Sequence, residues 1–144
     1  MHTSGSCFCG ATGWEAEVDP NMVGLCHCRD CQITSGGAFR MSTSVDPKTF
    51  RFTKGTPKTF DKTADSGKVR RMAFCGDCGT HLCSMPTDPN EEGAFISVRL
   101  ATSKDFAKFK PIAELYCDSK VAWMPELEGT IKFAAMPDMT ARES

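Results

Sequence analysis

The chain has no long apolar run: no stretch approaches the roughly 20 residues needed to span a bilayer, so nothing in it reads as a membrane segment. It also lacks a dominant charge. Its 18 acidic and 17 basic residues are interspersed and leave a net charge of −1, which provides no electrostatic footprint for nucleic acid or for a membrane surface. The opening Met1-His2-Thr3-Ser4-Gly5-Ser6 has neither a basic region nor an apolar stretch and does not read as a secretory signal. The expected location is therefore the cytoplasm, where thiols stay reduced. Internal repeats and low-complexity segments are absent. At 144 residues the chain suits a single domain with a modest core. That domain is expected to cover 1–136, with the polar 137–144 as a frayed tail.

Helical signals are few as well. Asp30 to Ser35 can make one turn before Gly36-Gly37 stops it, and Ser103-Lys104-Asp105-Phe106 can start another. The rest reads as short strands separated by Gly, Pro, Asp and Ser. These strands are Trp14–Val18, Met22–Leu25, Phe39–Val45, Phe50–Thr53, Lys58–Phe60, Val69–Phe74, His81–Met85, Ala94–Leu100 and Ile112–Cys117. The pattern predicts an all-β domain of several sheets rather than a βαβ fold.

Cysteine is what the chain has in quantity. Seven of its nine cysteines fall in three tight clusters: Cys7-Phe8-Cys9, Cys26-His27-Cys28-Arg29-Asp30-Cys31 and Cys75-Gly76-Asp77-Cys78. Such close neighbours are strained disulfide partners, and an odd count in a reducing compartment weighs further against a disulfide framework. Thiolates converging on one zinc suit these spacings, since the ion takes sulfurs at about 2.3 Å in a tetrahedron. Seven divides into four and three, a closed site and an open one.

Cys75-Gly76-Asp77-Cys78-Gly79 has the form of a zinc knuckle: a tight turn aims both sulfurs at one metal, and Gly79 permits the positive φ such turns favour. Two more sulfurs are required, and Cys7-Phe8-Cys9-Gly10 is the candidate donor. In a regular strand its sulfurs would stand roughly 6–7 Å apart, so the chain must bend there. A tetrathiolate centre is stable and weakly Lewis-acidic, hence structural. The competing reading makes Cys7 and Cys9 small core residues beside a redox pair at Cys75 and Cys78, but no thioredoxin-like context is present.

Cys26, Cys28 and Cys31 place three thiols within six residues. Three protein ligands leave one tetrahedral corner vacant, as in catalytic zinc sites. A tristhiolate centre is electron-rich and suits holding and deprotonating an incoming thiol better than activating water. His27 or His81 could instead close the site as a fourth ligand, although His27, between two ligands, is expected to point away. A single polynuclear cluster of all seven thiols and iron in place of zinc are further alternatives. Cys83 and Cys117 read as small buried hydrophobes, and Trp123 as a core tryptophan closing the domain.

Three segments together resemble a known pattern: Gly5-Ser6-Cys7-Phe8-Cys9-Gly10, Cys26-His27-Cys28-Arg29-Asp30-Cys31 and Phe74-Cys75-Gly76-Asp77-Cys78-Gly79-Thr80. The likeness continues in Ser35-Gly36-Gly37-Ala38-Phe39, Phe52-Thr53-Lys54-Gly55 and Glu114-Leu115-Tyr116-Cys117-Asp118-Ser119-Lys120-Val121-Ala122-Trp123. Over about residues 4–133 the chain resembles the glutathione-dependent formaldehyde-activating enzyme family, which includes centromere protein V. The resemblance implies a tent-like all-β fold of small antiparallel sheets stapled by a tetracysteine zinc site, and two zinc ions per chain. Cys7, Cys9, Cys75 and Cys78 would form the structural site, and Cys26, Cys28 and Cys31 the catalytic one.

The implied activity is that of a carbon–sulfur lyase, S-(hydroxymethyl)glutathione synthase, joining formaldehyde to the glutathione thiol. The implied partners are glutathione or a similar small thiol and a small aldehyde, with no nucleic acid and no membrane. Asp30, Arg29, His27 and His81 are near enough in sequence to be considered as proton donors. Glutathione's carboxylates would call for cations; Arg29, Arg40 and Lys120 are candidates, each otherwise a solvated surface residue. The rival readings are a zinc enzyme acting on another thiol or adduct, and a non-catalytic thiol carrier or zinc-binding module. A nucleic-acid module predicts a basic face, for which only Lys68, Arg70 and Arg71 are present, beside Asp61 and Asp65; a solvated strand face explains these equally well.

Overall fold

The computed structural model describes residues 1–136, and the segment 137–144, expected to fray, lies outside the described residues. The fold is all-β with one short helix. In chain order the elements are β1 (His2–Ser6), β2 (Gly13–Glu17), β3 (Val23–Cys26), α1 (Arg29–Ser35), β4 (Arg40–Val45), β5 (Arg51–Lys54), β6 (Lys58–Thr63), β7 (Val69–Phe74), β8 (His81–Pro86), β9 (Ile96–Arg99), β10 (Ala113–Leu115) and β11 (Ile131–Lys132). Among the described residues the strands form two sheets, one ordered β1-β2-β5 and the other β11-β10-β3-β4-β9-β8-β7-β6. Pairing is antiparallel except where β10 joins β3 and β11 in parallel. None of the described helices is long and apolar enough to cross a membrane.

Period-two alternation sets which faces meet. In β2, Trp14 and Ala16 are buried while Glu15 and Glu17 turn outward. Val23 and Leu25 of β3, Thr43 and Val45 of β4, and Ile96 and Val98 of β9 are likewise buried, and register pairs put Val98 opposite both Thr43 and Cys83. The core between the two sheets is built on Trp14, Val23, Val45, Leu82, Val98 and Leu100. Trp14 stacks on Phe50 with ring centroids 6.0 Å apart, and its indole Nε1 donates to Thr102 Oγ1 at 2.9 Å.

Trp123 is not a core residue. It is 76% exposed and sits in a short turn in which Met124 N donates to Val121 O at 3.2 Å. The position expected for it is taken by Trp14, whose alternating strand delivers the ring between the sheets. Strands β1 and β11 carry no apolar alternation and are defined by their partners. β1 pairs with β2 from His2↔Glu17 to Ser6↔Gly13 and is tied down by buried Thr3, which hydrogen-bonds Ser103 and donates to Asp105 at 2.7 Å.

The eight-stranded sheet curls. Lys62 of its edge strand β6 forms an ion pair of 2.7 Å with Asp30 in α1. Helix α1 follows β3, which lies on the far side of β4, β9, β8 and β7 in the strand order. That contact draws the two flanks together over one face of the sheet.

Candidate metal centres

The first and third cysteine clusters meet where the β1–β2 turn approaches the β7–β8 turn. The Sγ atoms of Cys7, Cys9, Cys75 and Cys78 all lie within 4.8 Å of one another. Cys9 Sγ is 3.7 Å from Cys7 Sγ and 3.7 Å from Cys75 Sγ. Sulfurs at about 2.3 Å from a tetrahedral centre are separated by about 3.8 Å, so this donor set fits zinc. The bend between Cys7 and Cys9 is a tight turn closed by Gly10 N donating to Cys7 O at 3.2 Å, with Gly10 at φ 80°. Gly79, at φ 78°, ends the matching turn, and its N–H donates to Cys75 O at 2.9 Å.

Backbone donors are aimed at these sulfurs: Thr12 N lies 3.2 Å from Cys7 Sγ and Asp77 N lies 3.4 Å from Cys75 Sγ. Such donors favour the thiolate form. Thr80 acts through its side chain, 3.2 Å from Cys78 Sγ, and with its backbone brings the Cys78 thiol down to about 5. Thr80 Oγ1 also accepts from Phe8 N at 3.1 Å, joining the two turns.

The middle cluster spans the end of β3 and the start of α1. Cys26, Cys28 and Cys31 have their sulfurs within 4.8 Å of one another, a set of three thiols compatible with zinc. Cys28 caps α1, accepting from Cys31 N at 3.3 Å, and its Sγ lies 3.0 Å from Cys31 Sγ. Hydrogen bonds to Cys26 and then Cys31, reinforced by the Cys31 backbone N–H and the Arg40 charge, hold the Cys28 thiol far below its ordinary value.

His27 faces away from these sulfurs. Its Nε2 is 2.9 Å from Glu114 Oε1, both side chains are fully buried, and its backbone N donates to Leu115 O at 2.9 Å. Glu114 also accepts from Thr130 and is 3.5 Å from Lys132 Nζ. Burial alone would raise the Glu114 carboxyl, but bonds from Thr130, His27 and Lys132 hold it below its ordinary value. His27, Glu114 and Cys117 come within 4.8 Å of one another. The short His27–Glu114 contact accounts for that grouping, and the Cys117 thiol is directed at Glu114 O, 3.7 Å away. Sequence reasoning missed Glu114, because no periodicity links position 27 to position 114; only the parallel β3–β10 pairing, with Glu114 opposite Leu25, brings them together.

The other candidates are distributed differently. Asp30 is paired with Lys62, Arg29 Nη1 donates to Gln32 at 3.2 Å, and Lys120 pairs with Glu126 at 2.8 Å. His81 is half-buried and stacks on Phe74, with centroids 5.7 Å apart. Cys83 is fully buried and Cys117 half-buried. Arg71 pairs with Asp61 through two bonds of 2.9 and 3.1 Å, as a solvated strand pair would.

The family model described as glutathione-dependent formaldehyde-activating enzyme matches residues 2–119. No curated protein matches significantly. Among solved structures, a Rhodobacter sphaeroides protein is similar with a TM-score of 0.53 at 19% identity, over 69% of this chain and 85% of that one; at this identity the likeness concerns the fold.

Proposed function

We propose that this chain, which belongs to the glutathione-dependent formaldehyde-activating enzyme family, catalyses addition of a small thiol, glutathione or a relative, to a small aldehyde. In that reaction the thiol sulfur bonds to the carbonyl carbon, the C=O π bond opens, and the thiol proton ends on the new hydroxyl. Cys7, Cys9, Cys75 and Cys78 would hold a structural zinc. Cys26, Cys28 and Cys31 would hold a second one, whose chemistry when bound is to accept an exogenous thiol and favour its thiolate form.

The single observation that carries the reading is the difference between the two donor sets, four sulfurs in one and three in the other. The protein's own residues prepare the second set. β3 fixes Cys26, the α1 N-terminus fixes Cys28 and Cys31, and the buried His27–Glu114 pair anchors the intervening turn. His27 is thus a positioning residue rather than a fourth ligand. The grouping of seven thiols into two donor sets suits a reducing compartment such as the cytoplasm.

The test is to mix zinc-loaded protein with glutathione and formaldehyde and to follow adduct formation against the spontaneous reaction by exchange-sensitive NMR. Acceleration lost in Cys28→Ser is the expected result. Tight thiol binding without acceleration would instead make the protein a thiol carrier.

A further inference from the structure

Register pairing determines which side chains share the second face of the large sheet. Cys26 is opposite Arg40, Ser42 opposite Arg99, Ser44 opposite Ser97, Ser97 opposite Ser84, and Arg70 opposite Pro86. Paired residues lie on one face, as do residues two apart on a strand. Cys26, Arg40, Ser42, Arg99, Ser84 and Arg70 therefore line a single polar face running from β3 to β7. It is the reverse of the apolar face that packs on the small sheet.

Three arginines on one face should have acid partners, yet none of the ion pairs among the described residues includes Arg40, Arg70 or Arg99. Arg70 is satisfied by carbonyls: its Nη2 donates to Ser84 O at 2.9 Å and Phe95 O at 3.0 Å, and its guanidinium lies 4.2 Å over the Phe95 ring. Arg99 is 5% exposed, and its Nη1 donates to Ser97 O and Oγ. Its Nη2 is buried without a partner, and so is Arg40 Nε. Burial and the Arg40 charge lower Arg99 to about 9, and the groups that oppose this are the Cys31 and Cys83 thiols, not a carboxylate. A buried, charged donor without an acceptor is costly.

A cavity opens beside Arg40, and Arg99 is not among its lining residues. Its volume is about 100 Å³, and it is lined by Gly24, Cys26, Arg40, Ser42, Ser44 and Leu115, among others. One wall is a cysteine of the three-thiol cluster, another is the arginine with the orphaned Nε. The volume suits a carboxylate group and not a whole tripeptide.

We infer that Arg40 forms an anion site that receives a carboxylate of the thiol substrate while its sulfur is held by the Cys26, Cys28 and Cys31 cluster, with buried Arg99 adding positive charge from the neighbouring strand. This deepens the function proposed above and rests on a thiol being the ligand of that cluster. Arg29 and Lys120, the alternatives offered by the sequence, are already engaged with Gln32 and Glu126.

The experiment is a calorimetric comparison on zinc-loaded, unmodified protein of glutathione, glutathione diethyl ester, S-methylglutathione and acetate. Esterification should weaken binding by about tenfold or more, the scale of one charge-assisted hydrogen bond. Arg40→Gln should weaken glutathione similarly and leave the ester unchanged. Equal affinity for acid and ester, or equal losses for both in Arg40→Gln, would overturn the assignment. Acetate as strong as glutathione would also overturn it, by making the site one for free anions. S-methylglutathione, which has no free thiol, separates the two readings. Ester-sensitive binding without accelerated adduct formation would retain the anion site and refute the catalytic reading, and acceleration with no ester effect would do the reverse.

Discussion

His27 Nε2 lies 2.9 Å from Glu114 Oε1, and neither side chain reaches solvent. The histidine is flanked by Cys26 and Cys28, so this one contact sets the angle at which β3 hands the chain to α1. Leaving a buried polar group without its partner costs about 1–3 kcal/mol, and losing a partner behind a metal ligand typically lowers metal affinity about 10–100-fold. Glu114→Gln, which keeps shape and one hydrogen bond, should cost about 1–3 kcal/mol in urea unfolding. It should also weaken metal at Cys26, Cys28 and Cys31 in chelator competition, with the other centre unaffected.

The two centres should respond differently to single substitutions. Cys78→Ser should abolish one equivalent of bound zinc and the cooperative thermal transition together, because metal at that centre joins two distant turns. Cys28→Ser should also lose one equivalent but keep the native near-ultraviolet circular dichroism, with thiol binding gone. Metal analysis beside the spectra distinguishes these outcomes. Identical behaviour of the two variants would contradict the division of roles.

Gly5→Ala should be among the more damaging small changes outside the cysteines. A Cβ there would fall 2.2 Å from Thr102 O and 2.7 Å from the Trp14 ring. Neither the backbone carbonyl nor the packed indole can withdraw easily, and overpacking of this kind costs about 1–3 kcal/mol. A lowered Tm with unchanged zinc content is the expected result.

Asp105 makes an acid-sensitive tie between β1 and the loop after β9. The hydroxyl of Thr3 and then Lys108 hold its carboxyl below the ordinary value. A folded-state pKa below the unfolded one, about 3.9, means the contribution is complete above that value. It is lost as pH falls through the lower, folded pKa. The stability difference between the protein and Asp105→Asn should therefore be flat from pH 7 to about 5 and should shrink below about 4. Denaturant midpoints across that range would measure it, and a difference that grows towards acid would refute the assignment.

Most of the fold was legible because strand alternation is local: Trp14-Glu15-Ala16-Glu17 declares its buried side without reference to the rest of the chain. The parallel docking of β10 and β11 onto β3 was not legible, since two or three residues of strand carry no period and the pairing is long-range. The cysteines announced themselves by spacing, which is a local property too. Arg40 was among the cations the sequence offered, but its sharing a face with Arg70 and Arg99 was not legible, because the three come from strands whose adjacency depends on topology. Arg70 even sat beside Arg71 and Lys68 as part of an ordinary charged stretch, yet it turns to the opposite face from Arg71. Trp123 misled for a related reason: a large aromatic signals burial on average, while its turn points it outward.

The 66-residue separation between Cys9 and Cys75, whose sulfurs meet at 3.7 Å, has a consequence for biosynthesis. Until the β7–β8 turn has left the ribosome, Cys7 and Cys9 have only each other. The N-terminal strands must therefore wait, unclamped, while Cys26, Cys28 and Cys31 emerge as a complete local donor set. The donor sets are thus completed in the reverse order of structural importance, the three thiols first and the four-thiol set only once Cys78 has emerged. Closing a loop of that length is entropically expensive, and the clamp supplies its stabilisation only once β6 to β8 have paired. A nascent chain stalled before Cys75 should accordingly remain protease-sensitive across β1 and β2.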